Sequence, residues 1–258
     1  MQYLGGKSRI SKQISEVINN EISRWKEQDS MSDRSGNRER ERERSYTFVS
    51  LFCGTCSIES KVKGFDKVLC NDSHEYLIEM LKGVQNGYEL PENISEEQYK
   101  YIREHKDEDK VLTGFVGFGC SFGGRWFEGY ARDKTNRNYA LGSKKSLHKD
   151  LDNMSKAEFI CMDYKDVNIS DGSIVYADPP YNNTKGYGKT KFNSEDFWEY
   201  MRKISKNNKV FISEQTAPDD FNCIWENPFT RTLDRNKSNQ FVVTEKLFTY
   251  KDNCTINT

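Results

Sequence analysis

The sequence predicts an α/β fold: a doubly wound, mostly parallel sheet closed by an antiparallel edge hairpin and interrupted by a smaller, mostly helical module. Three observations predict it. Short β-rich runs end at once in a polar or acidic residue, as where parallel strands deliver side chains to a cleft. A long middle stretch carries helical pieces and no strand run. Two β-rich runs close the chain, joined by a loop rich in arginine and asparagine, as in an antiparallel pair.

The elements follow in chain order. Tyr3-Leu4-Gly5-Gly6-Lys7-Ser8 is a turn, and it feeds a helical pattern with Ile10, Ile14, Val17 and Ile18 at turn spacing. From about 28 to 45 the chain loses its apolar residues and ends in the alternating run Arg38 to Arg44. This reads as a charged, flexible insertion or a solvated helix extension. Tyr46 to Phe52 is a strand run that stops at Cys53-Gly54-Thr55, and a helix is expected to start near Ser57. A second strand, Lys67 to Cys70, ends at Asn71-Asp72.

Helical pieces then run from Tyr76 to Val84 and from Glu96 to Glu104, followed by a glycine- and aromatic-rich segment, Gly114 to Tyr130. Strand signals resume at Glu158 to Met162 and Ser173 to Ala177. Phe197 to Ile204 suits a helix, Lys209 to Ser213 a strand, and Phe221 to Glu226 with Phe241 to Tyr250 the closing pair. The expected organisation is therefore one domain from 1–72 and 158–258, carrying the 28–45 insertion, and an inserted domain from 73–157.

With 258 residues, the chain is long enough for one large core or a core with a sizeable insertion. Charged residues make up 31% of it, and no apolar run approaches the roughly 20 residues that span a bilayer, so an intracellular, cytoplasmic protein without membrane contact is expected. Lys+Arg (39) and Asp+Glu (40) nearly cancel, so any nucleic-acid footprint must come from a local patch. The seven cysteines are scattered and odd in number, which reads as reduced thiols.

The residues with chemical content sit at strand ends. Gly54 allows a backbone to approach a ligand closely, and an acidic residue ending the next strand, Asp72, can bind both ribose hydroxyls of a nucleoside cofactor. Asp178-Pro179-Pro180-Tyr181 is the more specific signal. Each proline lacks an amide hydrogen and fixes its own φ, and the residue before it is pushed out of the helical region, so the turn is rigid with free carbonyls. A carboxylate beside a carbonyl accepts both hydrogens of an exocyclic amine, and a following tyrosine stacks on the ring that bears it. The sequence thus asks for a holder of an amino-purine or amino-pyrimidine.

Rival readings are weaker. Gly5-Gly6-Lys7-Ser8 imitates a phosphate loop, but that motif needs an earlier glycine where this chain has Met1. Cys53-Gly54-Thr55-Cys56 has the spacing of a thioredoxin-like redox pair, yet that fold leaves Asp178 to Tyr181 unexplained. A zinc site would need more ligands than His74, His105 and His148 offer, so no metal is expected.

Tyr-Leu-Gly-Gly-Lys, Leu-Phe-Cys-Gly-Thr, Asn-Asp and Tyr-Ala-Asp-Pro-Pro-Tyr, in this order, resemble the Dam-type DNA adenine methylase family, including its bacteriophage members. The closing Thr244-Glu245-Lys246-Leu247-Phe248 is similar too. The resemblance implies a Rossmann-like S-adenosylmethionine-dependent methyltransferase sheet, with 73–157 as the target-recognition domain. It implies that Tyr3, Lys7, Phe52 and Gly54 shape the cofactor site, that Asp72 binds the ribose, and that Asp163 and Tyr164 flank the cofactor adenine. Asp178 then lies between cofactor and target base, held in the Pro179-Pro180 turn, with Tyr181 stacking on the base. Cys56 stands where the family commonly has a second glycine, and Tyr3 where it more often has tryptophan.

The implied reaction is methyl transfer to N6 of an adenine flipped from double-stranded DNA, without metal and with no obligatory protein partner evident. Arg125, Lys134 and Arg137, in and beside a locally basic run, are the candidate DNA contacts. A cytosine-N4 or RNA methyltransferase fits the same amine holder, and a non-catalytic DNA-binding relative is the rival from another class.

Overall fold

The computed structural model describes residues 1–33, 45–132, 134–135, 137–180, 192–232 and 240–251. The chain divides into two compact units, Met1–Asn168 and Ile169–Thr258. The Arg-Glu run at 38–44 and Lys185, Lys189 and Lys191, the lysines just after the Asp178-Pro179-Pro180-Tyr181 turn that the sequence offers as further contacts to a DNA backbone, lie outside the described residues.

In the first unit, helix α1 (Ser11–Asp33) is entered through Ile10, and Ile10, Ile14, Ile18 and Ile22 recur every four residues, all buried. Asn19 fixes the far side of this helix: its side chain donates to the Lys61 carbonyl (3.1 Å) and accepts from the Lys63 amide (2.8 Å). Strands β1 (Thr47–Ser50), β2 (Lys67–Asn71) and β3 (Ala157–Ile160) pair in parallel in the order β3-β2-β1.

The helix expected near Ser57 is reduced to one 3-10 turn, Glu59–Lys61. Val62 is already extended, and a tight return through Gly64 (φ 83°) brings the chain to Lys67 too soon for a second helical turn.

Four helices lie between β2 and β3: α2 (Glu75–Gln85), α3 (Glu96–Glu104), α4 (Lys110–Gly119) and α5 (Tyr139–Leu151). Each opens on a capping side chain that the local sequence supplies: His74, Ser95 with Gln98 in a reciprocal box, Asp109 and Asn138. The sequence pattern anticipates α2 and α3. It misses α4, because Gly114, Gly117 and Gly119 lower helix propensity.

Packing reverses that preference. A Cβ on Gly114 would lie 2.0 Å from the Tyr76 carbonyl oxygen, and one on Gly117 would lie 2.2 Å from the Trp126 ring. The glycines therefore let α4 press against α2 and the segment after it, while Phe115, Val116 and Phe118 fill the core. The same core joins Cys53, Cys56 and Cys70 to Leu77, Ile78 and Leu81 of α2, so the strand-end loops rest on the inserted helices.

The second unit contains β4 (Ile174–Ala177), α6 (Ser194–Ser205), β5 (Lys209–Glu214), β6 (Phe221–Thr232) and β7 (Gln240–Tyr250). β4 pairs with β5 in parallel, β7 runs antiparallel to β5, and β6 forms the edge of a long hairpin with β7, bulged between Cys223 and Trp225. The fold is thus mixed α/β with mostly parallel strands and the expected antiparallel edge pair. Among the described residues, no helix is long and apolar enough to cross a membrane.

Candidate active site

The carboxyl ends of β1, β2 and β3 are wired together by side chains from one strand. Asn71, at the last position of β2, donates to the carbonyls of Leu51 (3.0 Å) and Met162 (3.2 Å) and accepts from the Met162 amide (3.1 Å). One amide side chain thereby links the loops that follow all three strands. Cys53 donates its amide to the Asn71 carbonyl (2.8 Å), which turns the chain into Gly54.

Gly54 has φ +50°, and a Cβ there would meet the Tyr3 ring at 3.2 Å. The position has neither the backbone freedom nor the space for a side chain.

Asp72 occupies the centre of this arrangement. It is 9% exposed; Oδ2 accepts the Gly54 amide (3.1 Å) and Oδ1 the His74 amide (3.0 Å). Burial pushes its carboxyl up, and the amides of His74, Gly54 and Ser73 pull it back. Three amides on four lone-pair sites leave the carboxylate room for a further donor. His74 caps α2, its ring edge-on to Trp126 (4.4 Å) and Phe118 (4.9 Å), and burial lowers its pKa to about 4, so it is neutral at physiological pH.

The N-terminal turn lies against the same loops. Gly6 donates to the Tyr3 carbonyl (2.9 Å), and the Tyr3 ring packs on Phe118 (5.1 Å) as well as over Gly54. Lys7 is buried, 5% exposed. Phe52 and Tyr164 face one another with ring centroids 5.2 Å apart. Asp163 is exposed, and its carboxylate accepts the Lys165 amide (2.9 Å), capping its own turn.

Two residues here have a structural role that carried no signal in the sequence. Glu59 is buried, its Oε1 2.6 Å from the Ser50 hydroxyl that donates to it, and burial raises its pKa to about 8. Asn71 stood in the sequence at a strand end and in the Asn-Asp pair of the family resemblance, with nothing to show what its side chain holds. Cys56 adopts φ 59°, the left-handed backbone that a glycine would take without strain, which gives its departure from the family pattern a structural meaning. Burial also raises the Cys53 and Cys56 thiols well above their usual range, the reverse of what a thioredoxin-like pair needs.

In the second unit, Asp178 directly follows β4, whose four residues are all buried. The strand is fixed by a buried hydrogen bond between the Tyr176 hydroxyl and Ser213 (2.8 Å), and by the Ser173 amide donating to Asn208 (2.9 Å). Asp178 is half-buried, Pro179 buried and Pro180 exposed. Tyr181 lies outside the described residues.

The candidate DNA contacts are all on the surface of the first unit. A turn closed by the Ser121–Tyr130 bridge carries Phe122, 65% exposed, and Arg125, whose guanidinium reaches Glu128 (3.3 Å). The Gly124 carbonyl accepts the Leu4 amide (3.3 Å), tying this turn to the N-terminal one. Arg137 lies over the Tyr139 ring (5.5 Å) and, with Arg132, Asn138 and Tyr130, lines a polar cleft of about 320 Å³. Lys134 is exposed. The structure thus brings Tyr3, Gly54 and Asp72 into one cluster and spreads Arg125, Lys134 and Arg137 along the surface beyond it.

Solved structures similar to the chain include an rRNA methyltransferase from Streptomyces viridochromogenes, with 9% identity over 81% of this chain and 78% of that one (TM-score 0.35). Another is a tRNA (m1A58) methyltransferase from Aquifex aeolicus, with 10% identity over 82% and 63% (TM-score 0.33). At sequence level, residues 3–113 and 125–250 match the family described as D12 class N6 adenine-specific DNA methyltransferase. With nearly its whole described length matched, the chain belongs to the D12 class of N6 adenine-specific DNA methyltransferases.

Proposed function

We propose that the chain transfers the methyl group of S-adenosylmethionine to N6 of an adenine flipped out of duplex DNA at a short specific site. The observation that carries the cofactor half is the Asp72 clamp. A buried carboxylate at a strand end, fixed by two backbone amides beside a glycine that excludes a Cβ, suits a ribose diol. The residues present fit the cofactor: Asp72 keeps acceptor capacity for a ribose hydroxyl, Tyr3 and Gly54 shape the loop, and Phe52 and Tyr164 offer ring faces for the adenine with Asp163 at its edge. Lys7 is buried in the N-terminal turn that packs on the same loops. The bound cofactor supplies an electrophilic sulfonium methyl.

The work left to this chain is to hold and orient the amine. A methyltransferase cannot reach N6 inside a duplex, so the base leaves the stack at a cost of a few kcal/mol. Asp178 and the Pro179 carbonyl accept the two N6 hydrogens in the rigid Pro179-Pro180 turn, which turns the nitrogen lone pair outward and stabilises the charge that develops there. Tyr181 stacks on the flipped base. Residues 73–157 act as the target-recognition domain, in which Arg125, Lys134 and Arg137 meet phosphates or base edges.

The test is transfer of labelled methyl from S-adenosylmethionine to unmethylated duplex DNA, followed by nucleoside analysis. N6-methyladenine in the product is expected. N4-methylcytosine, or label found only in RNA, would replace the proposed substrate. Asp178→Ala is expected to abolish transfer while the circular dichroism spectrum stays native; unchanged turnover would remove Asp178 from the mechanism.

A further inference from the structure

The inserted helices leave a second groove, far in character from the arginine-lined cleft. α3 and the first turn of α4, joined by residues 105–109, bound a cleft of about 550 Å³. Tyr101, Ile102 and Leu112 give it an apolar lining, Glu97, Glu108 and Asp109 give it acidic edges, and no lysine or arginine lines it.

Tyr101 is 52% exposed and already held in place. Its ring stacks on His105, with centroids 4.1 Å apart and planes at 17°, and its hydroxyl donates to the Glu108 carboxylate at 2.9 and 3.2 Å. A rigid exposed aromatic loses little conformational entropy when something packs on it, which is the property of a binding anchor.

The acidic edge is fixed as well. Asp109 accepts the Leu112 amide (2.9 Å) and the Tyr88 hydroxyl (2.5 Å). The backbone amide of Glu97 itself and the Ser95 hydroxyl hold the Glu97 carboxyl below the usual carboxylate range. Neighbouring lysines are engaged elsewhere: Lys110 meets Glu75 at 2.5 Å and Lys100 meets Glu96 at 3.2 Å. Three carboxylates around an apolar floor repel a phosphate backbone and attract cations.

A groove between two helices, apolar along its length and negative on its edges, complements a helix with an aliphatic stripe flanked by lysine or arginine. We propose that this groove docks a basic amphipathic helix of a partner protein. Its aliphatic side chains lie on Tyr101, Ile102 and Leu112, and its cations face Glu97, Glu108 and Asp109. The inference stands independently of the methyl-transfer reading.

The experiment uses the full chain and a labelled peptide of leucine and lysine patterned as an amphipathic helix, read by fluorescence anisotropy. Binding is expected, weakened about tenfold by Tyr101→Ala, as for a central aromatic anchor. The double variant Glu97→Lys, Glu108→Lys should weaken it at least as much and flatten its salt dependence. A peptide with glutamate in place of lysine should not bind. Circular dichroism should be unchanged in both variants, and because the readout is peptide binding the result does not depend on the fate of the proposed reaction. Absence of binding, or equal affinity for the parent chain and both variants, would overturn the proposal. So would a dimer in sedimentation that Tyr101→Ala dissolves, since the occupant would then be a second copy.

Discussion

The loop after β2 and the loop after β3 each present an aspartate just past a strand; both accept the backbone amide two residues on, and they differ in that Asp72 also holds a second segment. Asp72 is buried and accepts amides from two separate segments, at Gly54 and His74. Asp163 is exposed and accepts the amide two residues along its own turn. A carboxylate that closes a local turn is satisfied whatever happens elsewhere. One desolvated and spread across two loops is costly alone and becomes worthwhile where a ligand completes its hydrogen bonds. Placement after a strand is therefore a sign the two aspartates share, and wiring between segments is the discriminating one.

The largest effect that comparison predicts is at Asp72. Asp72→Ala removes the acceptor proposed for the ribose hydroxyls, and hydrogen bonds to a charged group contribute about 1.5 to 3 kcal/mol each. S-adenosylmethionine affinity, measured by calorimetry, should fall about a hundredfold or more. Asp72→Asn keeps the shape and serves as the folding control. Retained affinity in a folded Asp72→Ala chain would make Asp72 a turn residue like Asp163.

Beneath the same loop, Glu59 sharpens the contrast between buried and exposed carboxylates through pH. Its folded pKa is raised by burial to about 8, above the ordinary carboxylate value. The folded chain therefore holds a proton that the unfolded chain has released, and stability falls as pH climbs through the window up to about 8. Urea midpoints should decline from pH 5.5 to pH 8.5 in the parent chain and decline less in Glu59→Gln. Parallel pH profiles would mean that Glu59 is not protonated in the folded state.

Gly54 comes next. At φ +50°, Gly54→Ala places a methyl 3.2 Å from the Tyr3 ring, in a backbone region alanine rarely adopts. Strain there costs about 1 to 3 kcal/mol, so cofactor affinity should fall about tenfold. Adding Tyr3→Ala relieves the contact and leaves the backbone strain. Partial recovery in the double variant would apportion the two, and none would assign the whole effect to φ.

How much of this was legible in the sequence depends on what fixes each residue. Gly54, Asp72 and the Asp178-Pro179-Pro180 turn answer to backbone chemistry, which restricts the residue type at a single position and so leaves a readable mark. The parallel strands and their antiparallel edge pair were readable for the same reason, through the punctuation at their ends. α4 was not, because its glycines are chosen by the surface of α2 and the Trp126 ring, residues distant in sequence. α5 was hidden within a run read for its charge. The hydrogen-bonding roles of Asn71 and Glu59 were invisible because their partners, Leu51, Met162 and Ser50, are ordinary core and loop residues. The buried φ 59° at Cys56 leaves only an indirect mark, the absence of an expected glycine.

The smallest effect belongs to Asp163, and it is the one that puts the comparison itself at risk. Because the carboxylate is exposed, any hydrogen bond it makes to the cofactor adenine replaces one to water, and the net gain is about 0.5 to 1.5 kcal/mol. Asp163→Ala should therefore weaken S-adenosylmethionine about threefold, with Asp163→Asn restoring most of it, since the amide oxygen can still accept. A loss as large as that of Asp72→Ala would mean that an aspartate satisfied by its own turn can carry a ligand as well as one wired across segments. Wiring would then lose its value as a guide to function, and position after a strand would have to suffice.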